Sequence, residues 1–337
     1  MDIFGELPDG REVNIVTIEG GGLTANIMNW GAVVQDLQLA DHEYPLVLGF
    51  EEFSLYPEHS PYFGAIAGRF ANRIANGRFT IDGKSYQADT NFLGKHTLHG
   101  GSAGIGRRLW TFNEVSADVV TLFYRAADGE MGFPGNLDIA CTYALEPEGR
   151  LVVELTAETD APTLCNLAHH SYFNLEDGGR SDVLDHIMQI DADAYLPVDA
   201  ELIPTGEIKP VAGTDFDFRN PRPIRNDHGS GHKPYDNNFC LTRARGPLRR
   251  AATVKAPISG VEMQVWTTEP GIQLYDGVNV AREMPGLQGA LYQAHAGFCL
   301  EAQAWPDAPN HPEFPSAILR PGERYHQITE YRFQMAD

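Results

Sequence analysis

Two histidines stand side by side in NLAHHSYFNL, residues 166 to 175, within a run otherwise suited to a β-strand. Successive side chains of a strand point to opposite faces. Leu167, His169, Ser171, Phe173 and Leu175 then share a mostly apolar face, while Asn166, Ala168, His170, Tyr172 and Asn174 share a hydrogen-bonding one. That makes His170 the candidate for chemistry and His169 its packed neighbour. Other polar residues also stand where strands or tight turns should be apolar. AGRFANRIANG (67–77) carries Asn72, Arg73 and Asn76. HTLHGG (96–101) sets His99 before two glycines, which would let backbone approach a ligand closely. PYDNNFCL (234–241) runs Asp236 straight into an apolar strand, and EPGIQLYDG (269–277) sets Gln273 between Ile272 and Leu274. AGFCLEAQAW (296–305) puts Glu301 directly after Phe298, Cys299 and Leu300.

Most of these residues have a plain structural reading. Arg73 could pair with a carboxylate, His99 could cap a turn, Asp236 could close an Asx-turn, and Gln273 could bond a backbone edge. Glu301 is harder to dismiss, because a carboxylate entering an apolar strand is costly unless paired or used. Together the set supplies a base, two imidazoles, a guanidinium, an amide and a second carboxylate. That inventory suits a polyhydroxylated ligand and general acid–base work better than nucleophilic or redox chemistry. Twelve histidines invite a metal, but HTLH is the closest local pair and HExxH is absent, so no metal is expected. GxGxxG, P-loop and GxSxG signatures are also missing, and no cofactor is expected.

The elements that must position these residues read as strands. Period-two runs such as VNIVTIE (13–19), LTANIMNW (23–30) and LVVELTAET (151–159) are punctuated by 34 glycines and 22 prolines spread along the chain. FTIDGKSYQA (79–88) reads as a hairpin, with Asp82 and Gly83 supplying the positive φ angles of a tight turn. Long 3.6-period patterns, internal repeats and low-complexity segments are absent. The expected architecture is all-β, a large antiparallel β-sandwich forming a single domain over residues 1–337.

The balance of 46 acidic against 25 basic residues leaves a net charge of -21. That argues against nucleic acid and anionic membranes as partners, since neutralising phosphates takes clustered Lys and Arg. The four cysteines, Cys141, Cys165, Cys240 and Cys299, sit scattered in apolar contexts and read as buried free thiols. MDIFGELPDG lacks the basic and apolar regions of a signal peptide, and no run approaches the ~18 apolar residues of a membrane span. A cytoplasmic chain, monomeric or homodimeric, is the expectation.

Several motifs occurring in order carry a family resemblance: GRFANRIANGRF, TLHGG, DGEMGFPGNL, NLAHHSYFNL, YDNNFCL, EPGIQLY and GFCLEAQAWPDAPN. Over nearly its whole length the chain resembles the aldose 1-epimerases, or galactose mutarotases, whose fold is a large β-sandwich. The resemblance implies interconversion of the α and β anomers of free aldoses such as glucose and galactose, with a monosaccharide as the partner. It implies Glu301 as general base and His170 as general acid, since the family histidine immediately precedes the run that reads SYFNL here. His99 matches a second site imidazole, and Asn72, Arg73, Asp236 and Gln273 match sugar-binding positions. Family members often carry Asn at the place of His169, and GFDKxxW where this chain has GIGRRLW. Three rivals explain less. A non-catalytic sugar-binding module gives Glu301 and His170 no reason to coexist. A sugar-phosphate epimerase would want clustered basic residues, and a glycoside hydrolase would leave the histidine surplus.

Overall fold

The computed structural model describes residues 1–226 and 231–335, and its strands follow the period-two runs of the sequence. Leu151, Val153, Leu155 and Ala157 are buried along strand Arg150–Thr159, while Val152, Glu154 and Thr156 between them are only half-buried. That strand lies inside a nine-stranded antiparallel sheet, paired with Leu137–Glu146 on one side and Tyr325–Met335 on the other. A four-stranded meander, Asp2–Glu6, Glu12–Gly20, Leu23–Met28 and Val33–Leu39, contributes Ile18, Ile27 and Leu37 to the same core. A five-stranded sheet contributes Phe239, Ile272, Leu274 and Leu300 to it. Apolar faces of separate sheets meeting in one core are what the alternation requires, and the result is a β-sandwich.

The five-stranded sheet is the element that matters for chemistry. Its strands Asp236–Cys240, Gly271–Tyr275 and Cys299–Gln303 pair antiparallel, so residues across the sheet fall into rows. Phe239, Ile272 and Ala302 make one row turned toward the core, and Asn237, Leu274 and Leu300 make another. The opposite face carries Asp236, Tyr275 and Cys299 in one row and Asn238, Gln273 and Glu301 in the next. Polar residues that looked misplaced in the linear sequence thus belong to the second face of a two-faced sheet.

The hairpin expected around Asp82 and Gly83 forms between strands Arg78–Ile81 and Lys84–Gln87, with Ile81 opposite Lys84. Its two turn residues have φ of 51° and 79°, the positive values a two-residue turn needs. Regular helix is confined to short pieces, the α-helix Tyr56–His59 and several single 3-10 turns. No helix among the described residues is long and apolar enough to cross a membrane. All four cysteines are free thiols, and only Cys240 departs from the expected burial, being half-buried against the small apolar cluster that holds Trp305.

A Cβ on Gly83 would meet open space, so substitution there tests conformation alone. Gly83→Ala should lower unfolding stability by about 1–2 kcal/mol through its positive φ. Chemical denaturation should register that loss without a change in ligand binding.

Candidate active site

His170 lies on the short strand Ala168–His170, paired antiparallel with Ala65–Ala67. The two faces inferred for residues 166 to 175 separate here as their alternation requires. His169 turns into the core, its Nε2 2.9 Å from Ser171 Oγ and its ring edge-on to Tyr143 and Tyr331. Burial pushes its pKa down to about 3, so it is a neutral core histidine. His170 turns the other way, into a cavity of about 230 Å³ whose lining includes Asn72, Arg73, His99, Asp236 and Glu301. The cavity lies below the ~300–1,000 Å³ of sites for drug-sized molecules, which sets the scale of its ligand as small. A larger surface groove, about 930 Å³ beside Arg78, Gln87 and Lys95, brings no acid–base pair together.

Glu301 reaches the cavity from the polar face of the five-stranded sheet. Its Oε2 sits 3.6 Å from His170 Nε2, too long for a hydrogen bond, and has no hydrogen-bond partner. Glu301 is 2% exposed and His170 4%. Burial, and then the negative charge of Asp236, push the Glu301 carboxyl up to about 8, against the opposing pull of Arg73. Burial pushes the His170 imidazole down to about 4. At neutral pH the pair therefore holds one proton, mainly on the carboxyl, and is not a charged salt bridge. An orphaned carboxyl oxygen beside a basic nitrogen is a place for a hydroxyl group to bind.

His99 arrives by a separate route. Strand Arg73–Ile74 pairs with Thr97–Leu98, which lays the Asn72 segment against the turn at His99. The Asn72 backbone N–H donates to His99 Nδ1 at 3.2 Å, and the His99 N–H donates back to the Asn72 carbonyl at 3.0 Å. With Nδ1 accepting, the proton of neutral His99 sits on Nε2. Burial, followed by its cationic neighbours, holds its pKa well below the usual imidazole value, so it stays a neutral donor.

The glycines after His99 serve a different purpose from the one the sequence suggested. A Cβ on Gly100, whose φ is 83°, would fall onto the Gly68 carbonyl. The space is taken by neighbouring backbone, not kept open for a ligand.

Arg73 and Asp236 form a pair, Nη2 to Oδ2 at 2.9 Å, and Gln273 Nε2 donates to Asp236 Oδ1 at 2.6 Å. Both oxygens of Asp236 are therefore held. Gln273 does not line the main cavity but a small crevice behind it. Asn72 also spends its amide oxygen locally, accepting from the Arg73 N–H at 2.9 Å.

Several lining residues escaped the reading of the sequence. Tyr62 and Tyr172 both stack on His170, with ring centroids 5.8 and 5.1 Å away. Phe92 packs on the Arg73 guanidinium at 4.7 Å, and Tyr275, Leu202 and Asn279 complete the rim. Alternation did place Tyr172 on the face of His170, though without a role, and Tyr275 could have been found by the alternation that gave Gln273. Tyr62 and Phe92 come from loops with no periodic signal.

The charges fix how Glu301 should respond to its neighbours. Asp236→Asn removes a negative charge that raises the Glu301 pKa and releases Arg73, which lowers it. Both changes act in one direction. The Glu301 titration, followed by carboxyl ¹³C NMR, should move to lower pH in that variant.

The chain is similar to known proteins over nearly its whole length. The aldose 1-epimerase family model matches residues 14–332. The galactose mutarotase of Rattus norvegicus is 44% identical over 99% of this chain and 98% of its own length. The aldose 1-epimerase of Escherichia coli K12 is 37% identical over 97% of this chain and 96% of its own. Among solved structures, an aldose epimerase homologue from C. elegans superposes with a TM-score of 0.89 at 31% identity, covering 96% of this chain and all of that one. A family model spanning residues 14–332, together with relatives this similar along nearly their whole length, identifies the chain as a member of the aldose 1-epimerase family.

Proposed function

We propose that this chain interconverts the α and β anomers of free aldoses, glucose and galactose among them, as one catalytic unit acting in the cytoplasm as a monomer or homodimer. The observation that carries the reading is the orphaned Glu301 Oε2, buried 3.6 Å from His170 Nε2 in a cavity scaled for a small ligand. The names of the relatives support the same reaction.

Opening an aldose ring requires the anomeric hydroxyl to lose a proton while the ring oxygen gains one. Glu301, as carboxylate, takes the hydroxyl proton as protonated His170 delivers its Nε2 proton to the ring oxygen, and the bond from C1 to that oxygen breaks. The total stays at one proton across the pair. A sugar hydroxyl donated to Oε2 stabilises the carboxylate and helps move the proton from Glu301 to His170 before reaction. The free aldehyde turns about its C1–C2 bond. His170 then removes the proton of the C5 hydroxyl while Glu301 returns its own to the carbonyl oxygen, and the ring closes on the other face.

His99 contributes a fixed N–H donor. Arg73, Asp236 and Asn72 orient the hydroxyl groups, with Gln273 acting from behind by holding Asp236. No step calls for a metal or an organic cofactor.

Glu301→Gln keeps the shape and loses the base, so anomer interconversion should fall by at least about 100-fold. Polarimetry on freshly dissolved α-glucose and α-galactose measures it, and a parental rate would overturn the assignment. His170→Asn should be comparably damaging, whereas His169→Asn should keep most activity because that ring faces the core.

The reactive pair must hold one proton. Below the His170 value, about 4, both groups are protonated and the base is lost; above the Glu301 value, about 8, both are bare and the acid is lost. The rate against pH should be bell-shaped with limbs near those values. A rate that kept climbing through the alkaline limb would remove His170 as the acid.

A further inference from the structure

The buried histidines of this chain differ in what meets their ring nitrogens. Backbone N–H groups of Asn76 and Asn72 donate to Nδ1 of His96 and His99, at 2.9 and 3.2 Å. Each such contact forces the neutral ring to carry its proton on Nε2. A ring locked in that way can donate from Nε2, but it cannot take a proton there.

His170 has no such donor. Its Nδ1 instead lies 3.6 Å from the sulfur of Cys299, and the residue's own backbone carbonyl also draws on a ring N–H. Cys299 and Glu301 are two residues apart on strand Cys299–Gln303, so their side chains leave the same face. One strand thereby brackets the imidazole, with a thiol at Nδ1 and a carboxyl at Nε2. Tyr62 and Tyr172 stack on the same ring.

The geometry points to Cys299 as a positioning residue, its sulfur accepting the Nδ1 proton of His170 so that Nε2 alone gains and loses the reacting proton. The inference rests on the acid role given to His170 above. In that cycle Nε2 alternates between protonated and bare while Nδ1 must stay protonated, and sulfur can accept, though weakly. A carboxylate at the same place would also hold Nδ1–H but would raise the basicity of the ring. The sulfur of a neutral thiol holds the tautomer without that penalty. Cys299 remains a thiol throughout, since burial and then the neighbouring carboxylates push its pKa well above the usual value. It is fully buried and acts only through His170.

The tautomer can be read directly. Long-range ¹H–¹⁵N correlation on the full chain, with the His170 signals assigned by their loss in His170→Asn, should show wild-type His170 protonated at Nδ1 near neutral pH. Cys299→Ala should shift the ring toward the Nε2–H form and lower kcat about five- to tenfold, with KM changed less than twofold. Cys299→Ser keeps an acceptor and should restore both the tautomer and most of kcat. A wild-type ring found as Nε2–H would overturn the inference whatever the activity. So would an alanine variant with the parental tautomer and kcat, or a serine variant as impaired as alanine. The tautomer is measured without sugar, so a chain that failed to interconvert anomers would defeat the functional reading and leave this measurement to be judged alone.

Discussion

A carboxyl and an imidazole, both almost fully buried, face each other across 3.6 Å. Neither group is comfortable charged in that place, because desolvation raises the proton affinity of one and lowers that of the other. The usual order of acidity is inverted, and the proton rests on the carboxyl. Everything around the cavity serves to keep that uneasy pair close, dry and aligned. Tyrosines stack on the imidazole, and the sheet delivers the carboxyl. Arg73 and Asp236 place a balanced charge pair beside it, the anion raising and the cation lowering the carboxyl's affinity. The carboxyl is tuned first by burial and then by the opposed charges of Asp236 and Arg73.

The polar network is also layered. Asp236 has both oxygens engaged, one by Arg73 and one by Gln273, and Gln303 approaches Gln273 from behind at 3.5 Å. A carboxylate held at both oxygens cannot swing, so a hydroxyl meeting it finds a fixed direction. This is the physical difference between a residue that touches a ligand and one that keeps another in register. Gln273 belongs to the second kind, although its type alone would suit either.

Much of this was legible in the residues because strands have two faces. Alternation through 166–175 separates His170 from His169, and the odd carboxylate in FCLEAQ marks Glu301. The Asp82–Gly83 turn could be read from its chemistry. What stayed hidden depends on which strands become neighbours, and period-two patterns do not encode that. The stacking of Tyr62 on His170 and of Phe92 on Arg73 comes from loops closing over the sheet. The packing of Gly100 on the Gly68 carbonyl joins segments about thirty residues apart. The inverted proton affinities follow from burial depth, which no single strand reveals. Cys299 read as a plain buried thiol, because nothing in its own strand says that His170 will lie against it.

The rows of the five-stranded sheet carry a last implication, about folding fidelity. Strand Cys299–Gln303 alternates two incompatible sets of side chains, and only one parity of pairing sends Leu300 to oil and Glu301 to the pocket. A slip by a single residue would drive an ionisable group into hydrocarbon and strand a leucine among amides and acids, a doubly unfavourable exchange. The buried carboxyl that faces His170 thus also proofreads the assembly of the strand that bears it.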